Sequence, residues 1–189
     1  MVITTSPKRF NEWAALIQLL HEAFRYMEGR IDPPTSLETM GIEAIKKKAQ
    51  DEILIVAHDE GKLVGCAFAA LRDDCVYLSK VAVALTSRRQ GITRSMFKTA
   101  DEIARQHGKP FLELQTRVEL IENHVTFGAL GAAMMKPQTL PRRLTTHLNL
   151  LIRLLRRRLQ VPGGCQGTYS IPVAITCATA ALFSADSEK

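Results

Sequence analysis

The stretch from Val81 to Arg94 is the part of the sequence that most limits how this chain can fold. Its first residues alternate β-branched and small side chains, as a strand does. From Ile92 onward apolar side chains recur at helical spacing, which predicts a helix from about Thr93 to His107. A strand that enters a helix through a short basic turn gathers several backbone N–H groups beside positive side chains. The stretch therefore predicts an anion site, most simply for a phosphate or pyrophosphate.

Composition indicates a globular chain with one core. It has 189 residues, of which 46% are hydrophobic and 23% are charged. The four cysteines form no C-x-x-C pair, so we expect neither a metal site nor a disulfide framework. The start of the chain lacks the apolar core of a signal peptide, and the longest apolar run, residues 171–183, is rich in Thr and Ala. We therefore expect a cytoplasmic protein without a metal.

The net charge of +6 is unevenly distributed. Residues 1–131 carry 17 basic and 17 acidic side chains, whereas residues 132–189 carry eight and two. The whole basic excess therefore lies in the C-terminal part, and the charge of the first 131 residues does not favour nucleic-acid binding.

The periodicity of the rest of the chain predicts a mixed order of helices and strands. The predicted helices are 7–24, 35–50, 93–107 and 122–130, and the predicted strands are 53–57, 63–69, 75–83 and 111–115. Ser6 is the expected N-cap of the first helix, and Thr35 with Glu38 forms a capping box for the second. The turn at residues 59–62 predicts an antiparallel hairpin. The strand–helix–strand unit predicts that the strand at 111–115 pairs in parallel with the strand at 75–83.

Two motifs follow one another in the order and at the spacing typical of one superfamily. The first is Arg88-x-x-Gly91-Ile92, and the second is the strand-and-helix block from Leu114 to Gly131. Together with the loop Gly29–Pro34, they resemble the GCN5-related N-acetyltransferases (the GNAT superfamily) over about residues 1–131. The resemblance implies an α/β (α+β) fold with a mixed, mostly antiparallel central sheet flanked by helices.

The resemblance also implies that acetyl-CoA is the cosubstrate. The implied binding site for its pyrophosphate consists of Arg88, Arg89, Gln90, Gly91, Ile92, Thr93 and Arg94. At Gly91 a side chain would block the close approach of phosphate. Val81 and Val83 would offer backbone groups to the pantetheine arm, and a backbone N–H near Val83 would polarise the thioester carbonyl. Asn123 and Phe127 would line the far side of the arm, although Phe127 also fits a core position.

Acetyl transfer needs a neutral amine, and a carboxylate is the natural group to take its proton. Glu113 is the candidate general base because the leucines beside it share one face of the strand and it takes the other. An exposed strand glutamate is the alternative interpretation. Asp32, Glu28 and Glu119 are weaker candidates.

Three departures from the family pattern limit the assignment. Thr93 stands where many members have Gly or Ala. Phe127 stands where many members have the tyrosine that serves as general acid, so no proton donor is assigned. Residues 132–189 do not match: they form an atypical basic tail with a predicted helix near 147–159 and one strand near 169–176. A change of reading frame in the gene and a genuine basic amphipathic helix both remain open as explanations.

The sequence thus predicts an N-acetyltransferase that acts on a primary amine of a small molecule or peptide by direct attack in a ternary complex. A CoA-binding protein with impaired catalysis and a binding module that uses the basic C-terminal helix are the alternatives. A homodimer stays open. Contact of the tail with nucleic acid or membrane is not expected but also stays open.

Overall fold

The computed structural model describes residues 1–6, 10–32, 34–37, 39–117, 119–130, 133–134 and 149–155. All of them fall within one compact unit, Met1–Arg157. The strands are β1 Val2–Thr5, β2 Ile53–Asp59, β3 Lys62–Leu71, β4 Cys75–Val83, β5 Phe111–Arg117, β6 Ala133–Met134 and β7 Asn149–Leu155. The α-helices are α1 Trp13–Phe24, α2 Ile42–Asp51, α3 Ile92–Gln106 and α4 Ile121–Ala129, and the 3-10 turns are Arg25–Met27 and Leu85–Ser87.

The strands form one mixed sheet in the order β1-β2-β3-β4-β5-β7-β6. β4 and β5 pair in parallel, and the other neighbouring strands pair antiparallel. Both the antiparallel meander and the parallel pair predicted across α3 are confirmed. The fold is therefore the predicted one, a mixed and mostly antiparallel sheet flanked by helices.

Helices cover both faces of the sheet, and each face has its own core. On one face α3 buries Met96, Phe97 and Ala100 against the strands. On the other face α1 and α2 bury residues such as Leu16 and Ile45. We call these the α3 face and the α1 face. None of the helices in the described ranges is long and apolar enough to cross a membrane.

The predicted starts of the first two helices are wrong. α1 begins at Trp13, and Ser6 instead follows β1, where its Oγ accepts a hydrogen bond of 3.2 Å from the Leu54 N–H. α2 begins at Ile42 after Gly41. Leu37, which the prediction placed in the second helix, is fully buried on the α1 face before that helix starts. In both places tertiary contacts decide the local structure over the capping pattern.

The predicted helix near 147–159 is wrong over the residues that the structure describes. Residues Asn149–Leu155 form β7, which pairs antiparallel with β5 along the whole of that strand. The periodicity of a short apolar run does not distinguish a helix from a strand. Here the edge of β5 offers backbone hydrogen-bond partners, and this pairing outweighs the helical preference of leucine. The other residues of that prediction and the strand predicted near 169–176 lie outside the described residues.

Candidate active site

The parallel strands β4 and β5 form a fork. They pair from Cys75 and Phe111 up to Leu78 and Leu114, and beyond these residues no pair joins the two strands, both of which the structure describes in full. A β-bulge at Lys80, whose φ is +52°, shifts the register of β4 against β3 just past the last pair. A bulge bends its strand, and from this point on β4 has no pair with β5. The fork thus leaves backbone groups of both strands available to an inserted chain.

Val81 and Val83 lie on the open arm of β4. Their side chains pack against the core of the α3 face. The Ala84 N–H donates to the Val64 carbonyl of β3 at 2.8 Å. Since successive strand residues direct their backbone groups to opposite edges, the N–H and carbonyl of Val83 face the fork. The predicted positions of Val81 and Val83 therefore agree with a backbone role.

The turn between β4 and α3 opens a backbone cradle at the same end of the sheet. Arg89 and Gly91 both have left-handed backbone, with φ of +64° and +78°. A Cβ at Gly91 would meet no atom within 4 Å, so the space in front of it is open. α3 begins without a side-chain cap, and its first N–H groups are free to bind an anion. Arg89, Gln90 and Arg94, within three residues of Gly91 in the chain, are exposed.

Other residues of the turn anchor it to the protein. Arg88 donates from Nη2 to the Ala23 carbonyl near the end of α1 at 3.4 Å. The Ile92 side chain is buried in the core of the α3 face, so its backbone N–H is the part that faces the cradle. Thr93 is half-buried. At the predicted pyrophosphate site, the structure thus shows uncapped backbone N–H groups and exposed Arg89 and Arg94 side chains.

Asn123 and Phe127 share one face of α4, one helical turn apart. Asn123 donates from Nδ2 to Thr116 Oγ1 at 3.1 Å and to the Tyr26 hydroxyl at 3.0 Å. Phe127 stacks on Phe97 with ring centroids 5.9 Å apart. Phe127 is therefore partly a core residue, whereas Asn123 connects α4 with the open arm of β5 and with the 3-10 turn after α1.

Glu113 lies on the α1 face, as the alternation of β5 predicts. Only 3% of it is exposed, and its Oε1 lies 3.5 Å from Arg72 Nη1. The Arg72 guanidinium lies 3.7 Å from the ring of Tyr77, the residue in register with Glu113 on β4, and burial raises the pKa of that tyrosine. The interpretation of Glu113 as an exposed strand glutamate is wrong. Its carboxylate lies beside the paired part of the sheet, next to the start of the fork.

The weaker carboxylate candidates are all exposed. The Asp32 carbonyl accepts a hydrogen bond from Arg117, Glu119 lies 3.7 Å from Arg117 Nε, and Glu28 is at the surface. None of these three carboxylates is brought next to Glu113 or Val83 by a contact that the structure shows among the described residues.

No sequence pattern indicates the second polar group, which lies on the α1 face where the fork begins. Ser79 donates from Oγ to Glu52 Oε2 at 3.4 Å, and Lys48 Nζ lies 2.5 Å from the other carboxylate oxygen. Lys80 donates to Ser36 Oγ at 2.8 Å, and its pKa is lowered by burial and by the charge of Lys48. The pairs Lys48–Glu52 and Ser79–Lys80 are far apart in the chain, so no motif connects them. Among the described side chains, no group of three or more His, Cys, Asp or Glu could hold a metal ion.

Comparison with known proteins relates this geometry to a family. The family model described as Acetyltransferase (GNAT) family matches residues 13–127, more than half of the chain. The comparison with curated protein sequences gave no match.

Several solved structures share the fold at low sequence identity. PaiA N-acetyltransferase from Thermoplasma acidophilum, in complex with coenzyme A, is 12% identical and has a TM-score of 0.67 over 82% of this chain and 100% of that chain. The ribosomal-protein-S18-alanine N-acetyltransferase from Escherichia coli is 18% identical, with a TM-score of 0.58 over 82% and 94% of the two chains. A GNAT family acetyltransferase from Elizabethkingia anophelis with acetyl-CoA bound is 16% identical, with a TM-score of 0.58 over 82% and 97%. Together with the matched sequence model, the forked sheet and the turn before α3 lead to one conclusion: this chain belongs to the GNAT acetyltransferase family.

Proposed function

We propose that this chain transfers the acetyl group of acetyl-CoA to a primary amine of a small molecule or peptide, by direct attack in a ternary complex. One observation carries the proposal: the open arm of β4 leads directly into the backbone cradle at the start of α3. The pantetheine arm contains amides and the pyrophosphate is an anion, so one extended molecule satisfies both features. The complexes of similar structures with coenzyme A and acetyl-CoA support this choice. A cytoplasmic reaction that needs no metal is part of the proposal.

The binding roles follow from the backbone geometry. Val81 and Val83 pair with the amides of the pantetheine arm along the open edge of β4, as a further strand would. The first N–H groups of α3 and those around Gly91 hold the pyrophosphate, and Arg89 and Arg94 add positive charge. Asn123 and Phe127 border the arm from α4.

The chemical roles divide between the fork and the α1 face of the sheet. The Val83 N–H, which faces the fork, donates to the thioester oxygen as negative charge develops on it. The acceptor approaches from the α1 face, where Glu113 removes the proton that the amine must lose. A bond forms between the amine nitrogen and the acetyl carbon, and the bond between that carbon and sulfur breaks.

The proposal is tested by following thiol release from acetyl-CoA with a panel of small amines and peptides. We expect amine-dependent release, and we expect Glu113→Gln to lower kcat by about a hundredfold while the Kd for acetyl-CoA stays within about twofold. Glu43→Gln is the matched control, because Glu43 is exposed on α2 and pairs with Lys46 at the surface. It should leave kcat unchanged.

Two results would contradict these roles. Binding of acetyl-CoA without thiol release for any amine would favour the alternative of a CoA-binding protein with impaired catalysis. Full activity of a folded Glu113→Gln variant would remove Glu113 as the base and direct attention to Glu52, the other carboxylate near the start of the fork on the α1 face.

A further inference from the structure

The proposed reaction requires a proton donor as well as a base. When the carbon–sulfur bond breaks, the bonding electrons leave with sulfur, and the resulting thiolate must take up a proton. Phe127 has no proton to give, although it lies one helical turn after Asn123, which contacts Thr116 on the open arm of β5. A side chain other than Phe127, or solvent, must therefore supply this proton.

We infer that Tyr26 is this proton donor, an assignment that rests on the proposed function. Tyr26 lies on the 3-10 turn Arg25–Met27 directly after α1, and its hydroxyl meets Asn123, one helical turn before Phe127. This 3-10 turn thus supplies the phenol hydroxyl that position 127 lacks. The proton goes from the Tyr26 hydroxyl to sulfur, and the phenolate that remains is protonated again by solvent.

The hydrogen bonds around Tyr26 fit this role. Asn123 Nδ2 lies 3.0 Å from the Tyr26 oxygen and also donates to Thr116 Oγ1 at 3.1 Å. Thr116 stands on the open arm of β5, beyond the last pair with β4. When Asn123 donates to the Tyr26 oxygen, the hydroxyl proton is free for another acceptor, and the same N–H stabilises the phenolate after transfer. The second orientation, in which the hydroxyl donates to Asn123 Oδ1 at 3.2 Å, keeps the proton in place before the reaction.

The charges around Tyr26 favour a protonated resting state that can release its proton. Burial raises the pKa of Tyr26 above its usual range, and Glu122 of α4 adds to the rise. The hydrogen bond from Asn123 and the positive charges of Arg88 and Arg30 act in the opposite direction. Arg30 lies 5.8 Å from the tyrosine ring and pairs with Glu122 at 2.6 Å. The hydroxyl is therefore protonated at neutral pH, and two guanidinium groups stabilise its anion.

Other acidic groups in the described part of the chain are less suitable. Tyr77 lies beside the paired part of the sheet against Arg72. The Cys66 thiol is fully buried on the α1 face, and burial raises its pKa to about 12. His124 uses Nε2 in a 3.0 Å hydrogen bond with the Arg117 carbonyl. Of these two tyrosine hydroxyls, that of Tyr26 contacts α4 and, through Asn123, the open arm of β5.

The test uses two variants: one removes the Tyr26 hydroxyl, and the other makes it more acidic. Tyr26→Phe should lower kcat by about a hundredfold and leave the Kd for acetyl-CoA within about twofold. Replacement of Tyr26 by 3-fluorotyrosine, whose phenol is more acidic, should move the alkaline limb of the kcat–pH profile to lower pH. The sign follows because the donor must be protonated, so kcat falls as pH rises through its pKa.

Tyr77 provides the matched control. Tyr77→Phe and 3-fluorotyrosine at position 77 should leave the alkaline limb in place. If fluorination at Tyr26 does not move the limb of an active enzyme, or if Tyr26→Phe keeps full kcat, this inference is wrong while the proposed function stands. If the wild-type chain transfers no acetyl group to any amine, the proposed function fails and the inference fails with it.

Discussion

At the scale of single residues, Gly91 decides whether the turn before α3 can receive an anion. Its φ of +78° lies in the left-handed region, and the space that a side chain would occupy is open. The resemblance implied only that a side chain would obstruct phosphate. The structure adds a second requirement, because the backbone conformation itself favours glycine.

Gly91→Ala should therefore have two effects. The left-handed conformation should lower the free energy of unfolding by about 1 kcal/mol, and the new methyl group should weaken acetyl-CoA binding by about tenfold. Chemical denaturation and titration calorimetry measure the two quantities separately.

Gly108→Ala is the matched control, because it introduces similar backbone strain at a position where no anion site is proposed. Gly108 follows the other end of α3, has φ of +64°, and also borders open space. This variant should lose a similar amount of stability and keep the wild-type affinity. Equal affinities for acetyl-CoA in the two variants would show that the cradle at Gly91 does not hold the ligand.

At the scale of secondary-structure elements, the sequence predicted the features that depend only on neighbouring residues. The amphipathic spacing of α3 and the hairpin turn between β2 and β3 are contained in neighbouring residues, and both are confirmed. β1 has four residues, too few for a periodic signal. The fork depends on a bulge at Lys80 and on the separation of two strands whose paired residues lie 36 positions apart in the chain, and the contact of Tyr26 with Asn123 spans 97 residues. Such features result from tertiary packing.

The strand β7 shows most clearly that tertiary pairing decides local structure. Its pairing with β5 can be tested separately. If it pairs with β5 as the structure shows, NMR should detect contacts between the backbone protons of Leu112 and Leu154 and between those of Leu114 and Ile152. The β2–β3 hairpin provides reference contacts of the same kind, for example between Leu54 and Phe68. Contacts three residues apart within 149–155, without cross-strand contacts, would instead support the helix expected from the leucine-rich sequence.

At the scale of the whole molecule, the sheet consists of two groups of strands that meet at a short seam. β1 to β4 form one group and β5, β7 and β6 form the other, and four residue pairs from Cys75–Phe111 to Leu78–Leu114 join them. A ligand that pairs with the open arm of β4 while α4 borders it from the other side adds contacts to both groups. Binding to the folded state alone should then stabilise the protein by about 2.7 kcal/mol at a ligand concentration a hundred times Kd.

Calorimetric titration of the full chain with acetyl-CoA tests the central claim most directly, since every proposed role depends on that ligand occupying the fork and the cradle. We predict one saturable site per chain, and an increase of the unfolding temperature when acetyl-CoA is in excess. Folded protein that shows neither saturable heat nor a change in unfolding temperature at millimolar acetyl-CoA would contradict the account.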